Sequence, residues 1–342
     1  MTRPDLPRPH CRRGPRPLLL HLNKLDPALV HGIAAYRSHP AFRTLADPPA
    51  IWTEGPARLL DFNPAGTPTV LFMPSLVNRA YVLDLTPGRS MMRWLAAQGV
   101  RPLLLDWGWP GTVERQFTLT DVIAGVATRA LAAAGPSILA GYCMGGLLAL
   151  ALAQREPAQV QALALLATPW SFAPGPLAAQ LPVLEPLMAM TGTVPVDALQ
   201  ALFAAVEPGS IATKYRRFAA LDPASPAAHD FVALEDWLND GVPLAAPIAR
   251  EVLGGWYGRN TPARGEWRVA GAPVLPEQLR LPAWIAAPAR DRIVPFESAL
   301  PLATAIPGAV LHRPGSGHIG MTAGPRAQAE LWQPMLAWLR QV

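Results

Sequence analysis

The stretch AGYCMGGLLALALA, Ala140–Ala153, places Gly141, Cys143 and Gly145 in the pattern G-x-C-x-G. Before it runs SILAGYC (137–143), apolar and of strand length; after it runs MGGLLALALAQRE, apolar and of helix length. A thiol is thus set where a buried strand turns sharply into a buried helix. Such a turn tolerates only small neighbours, because Cβ atoms at 141 and 145 would collide with the chain. It thrusts the central side chain out of the sheet. It also sets the thiol at a helix N-terminus, where the dipole favours the thiolate. The N–H of Met144 then points to where an oxyanion forms on an attacked carbonyl. The whole of Ser137–Ala153 is free of charge, but its glycines and the Glu156-Pro157 that follow fit a strand, turn and helix better than a membrane span.

Working outward, the same alternation repeats. TVLFMP (69–74), RPLLLDWG (101–108), SILAGYC and VQALALLATP (160–169) read as strands. Between them, RSMMRWLAAQG (89–99) and TLTDVIAGVATRALAAAG (118–135) read as helices stopped by glycine. Continuous apolar strands separated by helices predict a mostly parallel sheet with helices on both faces. The rhythm stops at Pro169 and resumes with PAWIAAPA (282–289), AVLHRP (309–314) and a final amphipathic helix from near Pro325. The organisation expected is a basic Pro-rich tail (1–16), a segment with a helix (Asp26–Arg37) and the strand-like ARLLDF (17–66), the first part of the core (67–170), a cap insertion (171–275) and the second part of the core (276–342).

Composition narrows the function. The 342 residues are 51% apolar, enough for a large core. The net charge of +5 is concentrated in the tail, where Arg3, Arg8, Arg12, Arg13 and Arg16 face only Asp5. No basic nucleic-acid groove is indicated. Cys11 and Cys143 make no disulfide framework, and a working free thiol suits a reducing, cytoplasmic setting. The apolar run Leu18–Leu20 is too short for a signal peptide. No P-loop, dinucleotide fingerprint or metal-ligand spacing occurs, so neither metal nor cofactor is expected.

A thiol nucleophile needs a base and a group to orient it. PARDRIVP places Asp291 just past one resumed strand, and RPGSGHIGM places His318 just past the next. Both loops leave the C-terminal ends of parallel strands, where open α/β sheets keep their sites. The order nucleophile, acid, histidine is that of the α/β-hydrolase fold, which is the predicted fold class. His312 lies on a strand, His229 in the cap region, and His10, His21, His31 and His39 precede the sheet. The second oxyanion N–H is expected from FMPSLVNRAY, at Leu76 or Val77, with Asn78 and Arg79 at a substrate entrance. The apolar PLAAQLPVLEPLMAM (176–190) is a candidate for excluding water.

Several segments together resemble poly(3-hydroxyalkanoate) synthases, in particular the short catalytic subunits of the two-subunit classes. They are SLVNRAYVLDLTPGRSMMRWLAAQGVRPLLLDWGWP, GYCMGG, the cap pieces ATKYRRFAAL and FVALEDWLNDG, WRVAGAPVLPEQLRLPAWIAAPARDRIVP, and GSGHIGM. The resemblance covers roughly residues 65–342. It implies Cys143 as acyl acceptor, His318 as base and Asp291 as orienter or activator of the incoming hydroxyl. It further implies a 3-hydroxyacyl-CoA substrate that is no separate cofactor, a polyester product, a second synthase subunit, a homo- or hetero-oligomer, and a place at polyester granules. Arg292 stands where the family usually has histidine, and Gly111 where it often has aspartate. Dienelactone hydrolases share the G-x-C-x-G-G box, so a thioesterase or dienelactone-hydrolase-like enzyme is the alternative. A granule- or partner-binding protein without activity is the other.

Overall fold

The computed structural model describes residues 26–172, 177–206 and 208–342. The basic tail with Cys11, the stretch 17–25 with His21, and Pro176 of the water-excluding segment lie outside the described residues. Two compact units emerge. The larger holds 43–206 and 234–342; the described part of the smaller holds 26–42 and 208–233.

The larger unit is built on eight strands: β1 (Ala50–Glu54), β2 (Ala57–Asp61), β3 (Thr69–Met73), β4 (Arg101–Asp106), β5 (Ser137–Tyr142), β6 (Val160–Leu166), β7 (Ala283–Ala286) and β8 (Val310–His312). Their order is β1-β2-β4-β3-β5-β6-β7-β8. From β4 to β8 every pairing is parallel, while β2 joins β4 antiparallel and forms an antiparallel hairpin with β1. The strand-like ARLLDF becomes β2. Its partner β1 was not expected, because an edge strand that is mostly open to solvent lacks the continuous apolar run of its neighbours.

Helix α1 (Met91–Ala97) is capped by Ser90, whose side chain accepts from Arg93 N. The predicted helix over 118–135 starts as a π-turn at Asp121–Ala127, continues as α2 (Thr128–Ala134) and stops at Gly135 with φ 77°. Helix α3 (Met144–Arg155) is buried from Met144 through Ala153. Its apolarity all round follows, since it meets core on every side. Further on come α4 (Leu181–Thr191) and α5 (Val196–Val206) in the insertion, α6 (Phe296–Ala305) after β7, and α7 (Gln333–Leu339) after a π-turn at Gln328–Trp332. No helix of the described residues is long and apolar enough to cross a membrane.

The expected 171–275 insertion is not one body. Residues 177–206 and 234–275 belong with the sheet, whereas 208–233 belong to the smaller unit. The physical reason is a separate core: Phe218, Ala228 and Val232 bury against Ala35, Tyr36, Ala41 and Phe231. There the predicted N-terminal helix runs Pro27–Ser38, with Asp26 accepting from Leu29 N at 3.1 Å.

What positions the site is the contact of α3 with β3 and β5. A Cβ on Gly145 would lie 2.0 Å from Met73 O and 2.6 Å from Pro74 O. One on Gly141 would lie 2.3 Å from Gly146 Cα, and one on Gly146 would lie 1.8 Å from Thr168 Oγ1. The loop after β3 is anchored further on by Asp84, which is buried and accepts from Ser90 Oγ at 2.6 Å, Arg93 Nε at 2.8 Å and Arg43 Nη2 at 3.0 Å. Gly145→Ala must therefore push α3 away from the end of β3. We expect urea denaturation to show a loss of about 1–3 kcal/mol, the usual cost of overpacking, together with slower alkylation of Cys143; unchanged stability and reactivity would contradict this packing.

Candidate active site

Tyr142 ends β5 and Met144 begins α3, leaving Cys143 alone in the turn at φ 57°, ψ −126°. A non-glycine residue at positive φ is strained, and such strain persists only where surrounding structure enforces it. Here Cys143 N donates to Leu166 O at 2.8 Å and Gly146 N to Cys143 O at 3.0 Å. The thiol is free and partly buried.

Asp291 is fixed by its own turn. Its Oδ1 accepts from Ile293 N at 2.9 Å and Val294 N at 2.8 Å, and its Oδ2 meets His318 Nδ1 at 2.7 Å. The carboxylate is wholly buried. His318 is 8% exposed and lies within electrostatic reach of Cys143. The three residues predicted from widely separated loops are thus brought together. Burial alone would lower the pKa of His318. Electrostatic interaction with Cys143, then the hydrogen bond to Asp291, outweigh it and push the value up to about 10. Asp291 holds the ring through Nδ1, which leaves the other nitrogen for a different partner. Since the folded value exceeds the ordinary 6.5, the charge on His318 adds stability in full below about pH 6.5, and this fades as pH climbs through about 10.

Two tyrosines complete the surroundings and were not singled out in the sequence. Tyr142 donates from its hydroxyl to His318 O at 3.2 Å, and its ring lies 5.2 Å from the imidazole. Burial, then the charge on Cys143, pushes its pKa up, so it stays a donor. Tyr257 is shifted upward by the same two causes. It sits in a π-turn, Glu251–Gly258, with its ring edge-on to Phe172 at 4.9 Å. Nothing in the G-x-C-x-G spacing marks Tyr142, and Tyr257 reaches the site only through tertiary packing.

The loop predicted to complete the oxyanion hole lies directly over α3. Leu76 is buried. Val77 O accepts from Val242 N at 3.0 Å, and Asn78 forms an antiparallel bridge with Gly241. Arg79, expected at an entrance, has its Nη2 3.6 Å from Asp106 Oδ2, and its carbonyl accepts from Trp237 Nε1 at 2.8 Å. That is an ion pair at the end of β4, which the linear sequence does not reveal. His312 is occupied with Glu330 O, and His39 with Pro223 O. Among the described residues, no group of three or more His, Cys, Asp or Glu is placed to hold a metal ion.

Comparison with known proteins places these observations. A family model described as alpha/beta hydrolase fold matches residues 108–325. The chain is 28% identical over 311 residues to the poly(3-hydroxyalkanoate) polymerase subunit PhaC of Haloferax mediterranei, covering 85% of this chain and 63% of that protein. It is 28% identical over 312 residues to subunit PhaC of Allochromatium vinosum, covering 85% of this chain and 88% of that one. The chain thus spans less than two thirds of the haloarchaeal relative. Among solved structures, a hydrolase from Pseudomonas aeruginosa PA01 superposes with a TM-score of 0.54 at 18% identity, covering 83% of this chain and 94% of that one. That likeness is one of fold.

The raised pKa of His318 depends first on the cysteine's charge. Cys143→Ala is expected to move the His318 titration downward from about 10, as followed by NMR of labelled imidazole. An unmoved midpoint would show that Asp291 alone holds the proton.

Proposed function

The chain belongs to the α/β-hydrolase fold family, and from that premise we propose that it is a polyhydroxyalkanoate-synthase-like acyltransferase that polymerises 3-hydroxyacyl-CoA into polyester. The observation that carries the reading is the buried Asp291–His318 pair, joined at 2.7 Å beside a cysteine in the strained turn. The substrate class is drawn from the curated relatives, whose names are those of poly(3-hydroxyalkanoate) polymerase subunits.

In the proposed cycle, His318 takes the thiol proton and the Cys143 sulfur attacks the thioester carbonyl. Met144 N–H and the N–H of Leu76 or Val77 hold the oxyanion. The bond to the CoA sulfur breaks, and CoA leaves as thiol with the proton from His318. The acylated sulfur is neutral, so the field that raised the pKa of His318 is gone. The imidazole becomes a base suited to the hydroxyl of the next acyl unit or growing chain. That oxygen attacks, the Cys143 thiolate departs, and an ester is formed. Exchange of one thioester for another conserves acyl potential, and conversion to an ester is downhill. The reaction so written needs no cofactor. The enzyme would act in the cytoplasm at the surface of the polyester with a second synthase subunit, and the insertion segment around α4 would keep water from the acyl-enzyme.

A thioesterase with the same triad would release free acid. Its fold is equally served by this architecture, and product analysis separates the two. With 3-hydroxybutyryl-CoA, tested with and without a partner subunit, we expect CoA release with polyester accumulation. Cys143→Ala should lower the rate by at least about 10³-fold, and Asp291→Asn by about 10²–10⁴-fold. Stoichiometric free acid without polymer would establish the hydrolase instead. Granule binding that survives in Cys143→Ala, with no CoA release by the parent, would establish a binding protein.

A further inference from the structure

His318 lies within electrostatic reach of Cys143, although its loop starts far across the sheet. That loop leaves β8, a three-residue edge strand largely open to solvent. Cys143 follows β5, three strands away in the order β5-β6-β7-β8. At about 4.8 Å per strand, the loop has roughly 14 Å to cross. Its sequence, PGSGHIG (314–320), supplies little stiffness of its own. The imidazole therefore stays in place through contacts made from other elements.

Two such contacts act on His318. Asp291, from the loop after β7, meets Nδ1 at 2.7 Å. Tyr142, from β5, holds the main chain: its hydroxyl donates to His318 O at 3.2 Å, and its ring lies 5.2 Å from the imidazole at 31°. The carbonyl is open to the phenol because the one-turn helix that follows, Gly320–Ala323, does not use it. Thr322 N and Ala323 N both donate to Ile319 O instead. Tyr142 and His318 are both buried, and a buried carbonyl needs a donor. The backbone of Tyr142 is held in turn. It ends a strand whose six residues are all buried, in register with Leu166 of β6. The next residue is Cys143, whose N–H donates to Leu166 O at 2.8 Å. One residue thus carries the cysteine on its backbone and supports the histidine with its side chain.

We propose that Tyr142 is a positioning residue that sets His318 in register with the Cys143 sulfur, so that loss of its hydroxyl weakens the coupling of thiol and imidazole. This rests on the proton transfer from Cys143 to His318 put forward above, and holds whether an alcohol or water then takes the acyl group. The titratable groups around the imidazole are Asp291, the Cys143 thiol and Tyr142 itself. Burial, then the charge on Cys143, keeps the phenol protonated. Replacing Tyr142 by an apolar residue therefore removes a hydrogen bond and no charge.

The test follows alkylation of Cys143 by iodoacetamide against pH in the full-length protein, with Cys11→Ser in every sample so that one thiol reports. The reactive species is the thiolate, so the midpoint measures how well His318 stabilises it. Tyr142→Phe should slow alkylation at pH 7 by roughly 2–10-fold, the worth of one hydrogen bond, and raise the midpoint by roughly 0.3–1 pH unit. Tyr142→Ile, a strand former that also lacks the hydroxyl, should move it the same way and serves where Tyr142→Phe folds poorly. His318→Ala should raise the midpoint at least as far. Adding Tyr142→Phe to His318→Ala should then change nothing further, because a residue that acts through His318 is silent without it. A midpoint that moves in His318→Ala but in neither Tyr142 variant overturns the positioning role alone. A Tyr142→Phe effect of equal size with and without His318 overturns it too, since that marks a general loosening of the turn. A midpoint unmoved in His318→Ala overturns the proton transfer, and the role of Tyr142 with it. Polymer or free acid as product decides the synthase reading separately.

Discussion

The close approach of α3 to the ends of β3 and β5 is the constraint on which the rest depends. Gly141, Gly145 and Gly146 each occupy a spot where a single Cβ would lie within 2.3 Å of another atom. Because they carry none, the helix starts directly beneath the strand ends. The chain reverses in one residue, and Cys143 absorbs the strain at positive φ. The same contact brings the loop after β3 over the first turn of α3, where N–H groups are unsatisfied by the helix itself. The position of Cys143 and that of the loop facing it are therefore consequences of one packing decision. The buried anchor at Asp84, with its two arginines and a serine, keeps that loop from lifting away.

Electrostatics then divides the work. Asp291 spends one oxygen on two backbone N–H groups of its own turn and the other on His318. It is held in one orientation before any substrate arrives. His318 is buried, which disfavours its charge, and only the field of Cys143 together with hydrogen bonding reverses the balance. A histidine poised in this way responds to the state of the sulfur. In the proposed cycle, the imidazole would keep its proton while the sulfur is charged and give it up once the sulfur is acylated. Acid and base would thus be one residue at two stages, with the covalent step as the switch.

Much of this was legible in the sequence, and the reason is local. The turn declares itself through glycines that no other residue replaces. Asp291 and His318 declare themselves by falling just past apolar strands. What the linear pattern does not carry depends on distant partners. β1 is a solvent-facing edge whose pattern is too open to stand out. The smaller unit joins Tyr36 to Phe218 and Phe231 across most of the chain length, which no window of sequence spans. The π-turns differ from α-helix by one residue in hydrogen-bond spacing, and apolar periodicity does not resolve that. The ion pair of Arg79 with Asp106 at the end of β4 joins residues too far apart in sequence for local pattern to show.

In the proposed cycle, the thiol is what would turn a hydrolase-like scaffold toward transfer. A serine in the same turn would pass the acyl group down to an ester at the first step, and further transfer to an alcohol would then be close to energy-neutral. A cysteine retains the thioester, so the downhill step is deferred to the moment when an acceptor arrives. Which acceptor wins depends on access rather than on the triad: water reaches any open site, whereas a chain end must be held. On the proposed reading, the insertion and the aromatic group of Tyr257, Phe172 and Trp256 would favour the held, less polar partner. The choice between hydrolysis and polymerisation would then lie with the walls around Cys143 rather than with the three residues proposed to perform the chemistry.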